Sequence, residues 1–142
     1  MPESAQLVLE LSNELSEISR LTESVDEFCA QHHVSGQLAF NLKLVLEEVV
    51  VNVIHYAYTD SDAETQRIHV NLTLNKQQVA GEVRDNGRAF DPLGMAPPKL
   101  DLDLESREIG GLGIHFLRKL MDEVIYTRNN GENCLRFVKK MV

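Results

Sequence analysis

Leu7, Leu9 and Leu11 alternate with Val8 and Glu10, and this period of two predicts a short strand with its inner face marked. The period then changes. From Asn13 to about His32, Leu15, Ile18, Leu21 (or Thr22), Val25 and Phe28 (or Cys29) recur at helical spacing in a polar segment, which predicts an amphipathic surface helix. Val34-Ser35-Gly36 interrupts it, and Ser35 is suited to cap the next helix. That second helix is predicted over about Gln37 to Tyr58. Leu38, Leu42, Val45 and Leu46 mark one face of its first half, whereas Val49-Val50-Val51-Asn52-Val53-Ile54 is apolar nearly all round. The β-branched run also fits a buried strand by propensity. The unbroken helical approach from Leu38 and the lack of turn residues favour helix, and a helix apolar on most sides belongs in the core.

Thr59 to Gln66 reads as a polar loop. Ile68, Val70, Leu72 and Leu74 alternate with His69, Asn71, Thr73 and Asn75 as a half-buried strand. After a turn at Asn75-Lys76-Gln77, Val79, Gly81 and Val83 carry an antiparallel partner ending at Asp85. Asp85 to Glu108 is a long irregular stretch with three of the four prolines, and loops of this length often act as lids. Leu112 to Met121 is a further helix. Val124-Ile125-Tyr126 and Leu135-Arg136-Phe137-Val138 form a hairpin around Asn129-Asn130-Gly131. No repeat or linker divides the chain. The order β-α-α-β-β-lid-α-β-β predicts one α+β domain over residues 1–142, with helices on one face of a mainly antiparallel sheet.

Composition narrows the partners. Fourteen basic and 22 acidic residues give a formal net charge of −8 over 142 residues. That balance argues against nucleic acid, whose phosphates call for a basic excess, and against an anionic membrane surface. It leaves room for one small anion held by backbone amides and a few local cations. Cys29 and Cys134 lie far apart without metal-ligand spacing, as expected of buried thiols in a reducing compartment. Met1-Pro2-Glu3-Ser4 has no basic n-region or apolar h-region, and no stretch approaches the roughly 18 apolar residues of a membrane span. The expectation is a cytoplasmic protein.

Three segments carry chemistry. Glu48, Asn52 and His55 stand at i, i+4 and i+7, one stripe along the border of the apolar helix face. A carboxylate and an amide oxygen so placed suit a hard cation such as Mg²⁺, or a water that Glu48 activates. The plainer reading is a buried Asn satisfied by nearby backbone. Asp85-Asn86-Gly87-Arg88-Ala89-Phe90-Asp91-Pro92 places an Asp at a strand end, where it can accept from a ligand amino group while Gly87 allows close backbone approach; it also fits an ordinary turn. Gly110-Gly111-Leu112-Gly113-Ile114 offers free amides at a helix start, suited to phosphate, or is merely a helix-start turn. It is not a dinucleotide fingerprint, because Phe116 stands where a small residue is needed and no strand precedes it. Nor is it a Walker loop, since no GK[ST] comes after it.

Together, in this order and spacing, LVLEEVVVNVIHYAY, VRDNGRAFDP and REIGGLGIHFLRKLMDEVIY resemble the N, G1 and G2 boxes of the GHKL (Bergerat-fold) ATPases. They are most similar to the stand-alone serine-protein kinases that act as anti-sigma factors, the RsbW and SpoIIAB type, over nearly the whole chain. The resemblance implies a two-layer α/β sandwich with a lid over approximately residues 88–110. It implies ATP and Mg²⁺ as cofactors, with Asn52 as the metal ligand and Glu48 as the catalytic base. Glu47 is turned about a quarter turn or more away. Asp85 would contact the adenine amino group, with Gly87 and Phe90 shaping the base pocket. Gly110, Gly111, Leu112 and Gly113 would hold phosphate through backbone amides, and Arg107 would meet it from the lid. Val51 departs from the small or Thr residue common before the Asn, and His55-Tyr56-Ala57-Tyr58 from the commoner His-Ala-Tyr, which leaves the role of His55 open.

The implied activity is transfer of the γ-phosphate to a Ser or Thr of a STAS-domain anti-anti-sigma protein, with a sigma factor as competing partner and homodimerisation as a further family expectation. Two alternatives stand beside it: a catalytically silent ATP-binding module whose lid order controls partner binding, and a structural α+β domain without nucleotide.

Overall fold

The alternating segments assemble into one five-stranded sheet. In the computed structural model, which describes residues 4–58, 66–94 and 117–141, the strands are β1 (Ser4–Ser12), β2 (Arg67–Asn75), β3 (Gln78–Asp85), β4 (Glu123–Asn129) and β5 (Glu132–Lys140). Their order is β1-β2-β3-β5-β4, and every pairing is antiparallel. The register pairs Leu7 with Leu72, Leu9 with Val70 and Leu11 with Ile68, which puts the alternating apolar set of both strands on one face. Two helices, α1 (Ile18–Gln31) and α2 (Gly36–Asn52), supply the rest of the core. Leu21, Val25, Phe28 and Cys29 of α1 and Leu42, Val45, Leu46, Val49 and Val50 of α2 join Ile68, Val70, Leu72, Val83 and Phe137 in one buried cluster. The opposite sheet face stays open, and Val8 is 66% exposed there. This is the α+β architecture expected from the sequence.

Local chemistry explains the joints. Ser35 caps α2, its hydroxyl accepting from Leu38 N at 3.2 Å. Asn75 Oδ1 accepts from Gln77 N and Gln78 N at 2.8 and 2.9 Å, closing the β2–β3 turn. Asn130 and Gly131 both have positive φ, 54° and 77°, the geometry that joins twisted strands in a two-residue hairpin. Gly81 lies opposite Phe137, where a Cβ would come within 2.2 Å of the ring, so the glycine makes room for that side chain.

Three expectations change. α1 begins at Ile18 and not Asn13; Leu15 sits in a preceding 3₁₀ turn and is 52% exposed, off the buried stripe. α2 does not run regularly to Tyr58. After Asn52 it widens into a π-helical turn over Val53–Ala57, closed by Tyr58 N donating to Val53 O at 3.2 Å. β5 starts at Glu132, three residues before the expected Leu135, because the hairpin loop is only Asn130-Gly131. Residues 117–120 are helical, and the start of the predicted Leu112 helix lies outside the described residues. Of the predicted lid, the root through a 3₁₀ turn at Pro92–Gly94 is described, tied to the later helix by Arg118 Nη2 donating to Leu93 O.

Candidate functional site

The end of α2 is chemically incomplete. Asn52 is 1% exposed, yet neither Oδ1 nor Nδ2 has a hydrogen-bond partner among the described residues. Buried amides in folded proteins are almost always satisfied, and leaving one atom unpaired costs about 1–3 kcal/mol. The reading of Asn52 as an amide satisfied by nearby backbone therefore fails. One turn earlier Glu48 is half-buried, with Oε2 likewise unpartnered, while Glu47 is exposed. Burial pushes the Glu48 carboxyl above its usual range, and the Glu47 charge pushes the same way. A bare cation would satisfy only the amide oxygen. A cation carried by an anion would satisfy both halves of the amide, since the oxygen can accept a cation and the NH₂ can donate to an anion. His55 is exposed, because the π turn advances each residue by a smaller angle and takes it off the stripe.

The end of β3 faces the same space. Asp85 is 3% exposed, and its Oδ1 accepts from Gly87 N and from Asn133 Nδ2, both at 2.9 Å. Burial raises the Asp85 pKa; the Asn133 and Gly87 bonds and the Arg128 charge oppose that rise without cancelling it. Gly87 has no positive φ, so its requirement is steric. A Cβ there would lie 2.4 Å from Ala57 O and 2.8 Å from Ala57 C. The close approach expected at Gly87 is thus to the π turn of α2. Arg88 N donates to Ala57 O at 3.0 Å and Arg88 Nε to Tyr56 O at 2.5 Å, riveting the two segments together. Tyr58 adds to the seam: its hydroxyl accepts from Asn86 N at 3.0 Å and lies 2.7 Å from Arg67 O.

Between these ends lies a pocket lined by Val49, Asn52, Val83, Asp85, Phe90 and Asn133, among others. Its free volume is about 10 Å³, room for about one water. Phe90 forms part of its wall, stacked on Tyr56 at 5.2 Å between ring centroids and 20° between planes. A planar heterocycle is larger than this space, so its binding requires the lining to move apart. A larger cavity of about 300 Å³ lies at the far end of the sheet, beside Ala5, His32, Leu74 and Met141, and contains none of the predicted residues.

Glu48 and Asn52 from α2 and Asp85, Gly87 and Phe90 from the end of β3 are therefore assembled at one end of the molecule. Arg107, Gly110, Gly111, Leu112 and Gly113 lie outside the described residues. Residues 11–139 match the family described as histidine kinase-like ATPase domain. The chain belongs to that ATPase family.

Its relatives include protein kinases. BtrW of Bordetella bronchiseptica, a serine/threonine-protein kinase, is 32% identical over 101 residues, covering 71% of this chain and 70% of that protein. The serine-protein kinase RsbW of Bacillus pumilus is 27% identical over 95 residues, covering 64% and 59%. RsbW of Listeria monocytogenes (serotype 4a) is 30% identical over 88 residues, covering 59% and 55%. The chain thus spans less than two thirds of these RsbW relatives. The RsbU and RsbW domains of Rv1364c from Mycobacterium tuberculosis share the fold, with a TM-score of 0.67 at 15% identity over 95% of this chain and 31% of that one.

The surroundings of the pocket also contain residues that the motif reading passed over. Asn133 is 3% exposed and bonded to Asp85; Tyr126 and Arg128 of β4 donate to Asn133 Oδ1. Tyr56 backs Phe90. The period of two through Leu135 and Phe137, extended backward by one step, reaches Asn133 on the inner face.

Proposed function

We propose that this chain is an ATP-binding, Mg²⁺-dependent serine/threonine protein kinase of partner-switching regulation, whose substrate is a Ser or Thr on a STAS-domain antagonist. The observation that carries it is the buried end of α2: an Asn52 amide with both atoms unpartnered among the described residues, one turn after the unpartnered Oε2 of Glu48. The kinase names of the relatives support it.

Asn52 fits a Mg²⁺–polyphosphate, because its two unsatisfied atoms want a cation and an anionic oxygen at once. When bound, Mg²⁺ would neutralise phosphate charge, which is most of what phosphoryl transfer asks of a protein beyond alignment. Glu48 would accept the proton of the attacking hydroxyl. Burial raises its pKa, and a carboxylate with a raised pKa is a stronger base. Asp85 would accept from the adenine amino group, and Gly87 and Phe90 would shape the base site. Arg107 and the glycines at 110, 111 and 113, with Leu112, would hold the phosphates. A sigma factor competing with the STAS protein and a second copy of the chain are further partners consistent with this reading.

The test is transfer of radiolabelled γ-phosphate to a purified STAS-domain protein, with Glu48→Gln and Asn52→Ala in parallel. Glu48→Gln should bind Mg-ATP yet lose transfer, and Asn52→Ala should lose both. Wild type that binds Mg-ATP and labels no partner would instead indicate a silent ATP-dependent interaction module.

A further inference from the structure

One buried side chain ties the base pocket to the root of the lid. Asn133 Nδ2 donates to Asp85 Oδ1 at 2.9 Å and to Arg88 O at 2.7 Å. Its Oδ1 accepts from Tyr126 OH at 2.5 Å, from Arg128 Nη1 at 3.0 Å and, more weakly, from Phe90 N at 3.4 Å. The amide can be oriented only one way. The Asp85 carboxylate and Arg88 carbonyl accept only, whereas the Arg128 guanidinium and Phe90 amide donate only. Every hydrogen-bonding position of the amide is thereby used. Arg128 Nη1 also donates to Gly87 O at 2.8 Å, so the 87–90 backbone is held from β4 and β5 together. Both described bonds to Asp85 fall on Oδ1, leaving Oδ2 to accept from a ligand.

We propose that Asn133 is the positioning residue of the base pocket: one side chain holds the Asp85 carboxylate in its binding orientation and anchors the lid root at Arg88 and Phe90. This rests on the nucleotide-binding reading for its consequence, but not for its geometry. Among the described residues, the charged and titratable groups facing Asp85 are Arg128 and Tyr126 from β4, Glu132 from β5 and Tyr58 after α2.

Two variants test it. Asn133→Leu removes every bond at similar volume. Asn133→Asp keeps the shape and acceptor but, when ionised, sets a second carboxylate against Asp85. Mg-ADP binding is measured by calorimetry at pH 8 and 5.5, with thermal unfolding alongside. Asn133→Leu should bind roughly tenfold more weakly than wild type, about 1.4 kcal/mol, at both pH values. Asn133→Asp should be as weak at pH 8 and recover several-fold relative to wild type at pH 5.5. There the two carboxyls share one proton, and the protonated Asp restores the donor to Asp85. A merely structural residue would lower stability without this pH-dependent rescue.

In the nucleotide-free protein, carbon-detected NMR should show Asp85 titrating at higher pH in Asn133→Leu, with faster exchange of the Phe90 amide. An Asn133→Asp to wild-type affinity ratio that is equal at both pH values, or an unchanged Asp85 titration in Asn133→Leu, would overturn the proposal. If wild type bound no Mg-ADP, the kinase reading would fall while the nucleotide-free measurements still decided the role of Asn133. If Asn133→Leu did not fold, the pH response of Asn133→Asp would decide.

Discussion

Gly87→Ala isolates the contact that joins α2 to the pocket. Because Gly87 lacks a positive φ, alanine can adopt its backbone, and the whole effect comes from the added methyl. That methyl would sit 2.4 Å from Ala57 O, 2.8 Å from Ala57 C and 3.0 Å from Tyr58 Cδ1. Two of these atoms are backbone in a π turn, so relief requires the segments to part and the Arg88 N to Ala57 O bond to stretch. Overpacking of this kind costs about 1–3 kcal/mol, and a compromised hydrogen bond about 0.5–1.5 kcal/mol more. A total of roughly 2–4 kcal/mol lowers Tm by about 6–15 °C in a domain of this size. Gly36→Ala is the matched control: no atom lies within 4 Å of its Cβ, and alanine in the first turn of α2 gains about 0.5–1 kcal/mol over glycine at most. Thermal unfolding followed by circular dichroism, checked by urea titration, reads both. A Gly87→Ala protein melting within about 2 °C of wild type would refute the argument that steric contact with Ala57 fixes this residue.

Asn52→Leu should raise the stability of the nucleotide-free protein by about 1–2 kcal/mol, since it replaces an unpartnered buried amide by apolar volume. It should also abolish the stabilisation by Mg-ATP, about 2.7 kcal/mol at 100 times Kd; lower stability with that shift intact would contradict the reading of Asn52. Glu48→Gln probes a carboxyl whose folded-state pKa lies above its unfolded value of 4.5. Such a group binds its proton more tightly when folded, so its stabilisation is complete below the unfolded pKa and disappears as pH rises through the folded one. The variant should therefore gain Tm over wild type at pH 7–8 and gain less, or none, at pH 4. A difference independent of pH would show that desolvation does not govern the Glu48 carboxyl.

Where structure follows local pattern, it was readable in advance. The leucines of β1 and the alternating set of β2 face one core because a strand's period leaves no other choice, and Ser35 caps α2 because its hydroxyl stands three residues before an unpaired amide. The π turn was not readable. Val53-Ile54-His55-Tyr56-Ala57 contains no Gly or Pro to mark it, and what accompanies it is non-local: Arg88 N on Ala57 O and Gly87 pressed beneath. The ends of β1 escaped for a similar reason. Ser4, Gln6 and Ser12 look like loop residues, but each is paired by β2, and Gln6 Nε2 even donates to Asn71 Oδ1 at 3.1 Å. In the site, Asn52 and Asp85 were visible as polar residues in apolar or strand-end settings. Asn133 was hidden by its place beside a hairpin turn, where Asn is ordinary; only its burial and its bond to Asp85 distinguish it.

The distribution of charge sharpens what the net −8 means for an ATP site. Among the described residues two arginines brace the segments around the pocket: Arg88 Nε donates to Tyr56 O, and Arg128 Nη1 donates to Gly87 O and Asn133 Oδ1. They fix the walls of the pocket. The opposing carboxylates, Glu48 and Asp85, are both pushed toward protonation by burial. Among the described residues a polyanion would thus meet little positive field, whereas a Mg²⁺-bound nucleotide would bring its own neutralising charge and need mainly oriented partners. The unpartnered Asn52 amide is suited to that role. Nucleotide affinity should accordingly depend far more on Mg²⁺ than on ionic strength, and a steep loss of Mg-ADP binding between low and moderate salt would show that long-range attraction, not the local cradle at Asn52, dominates the site.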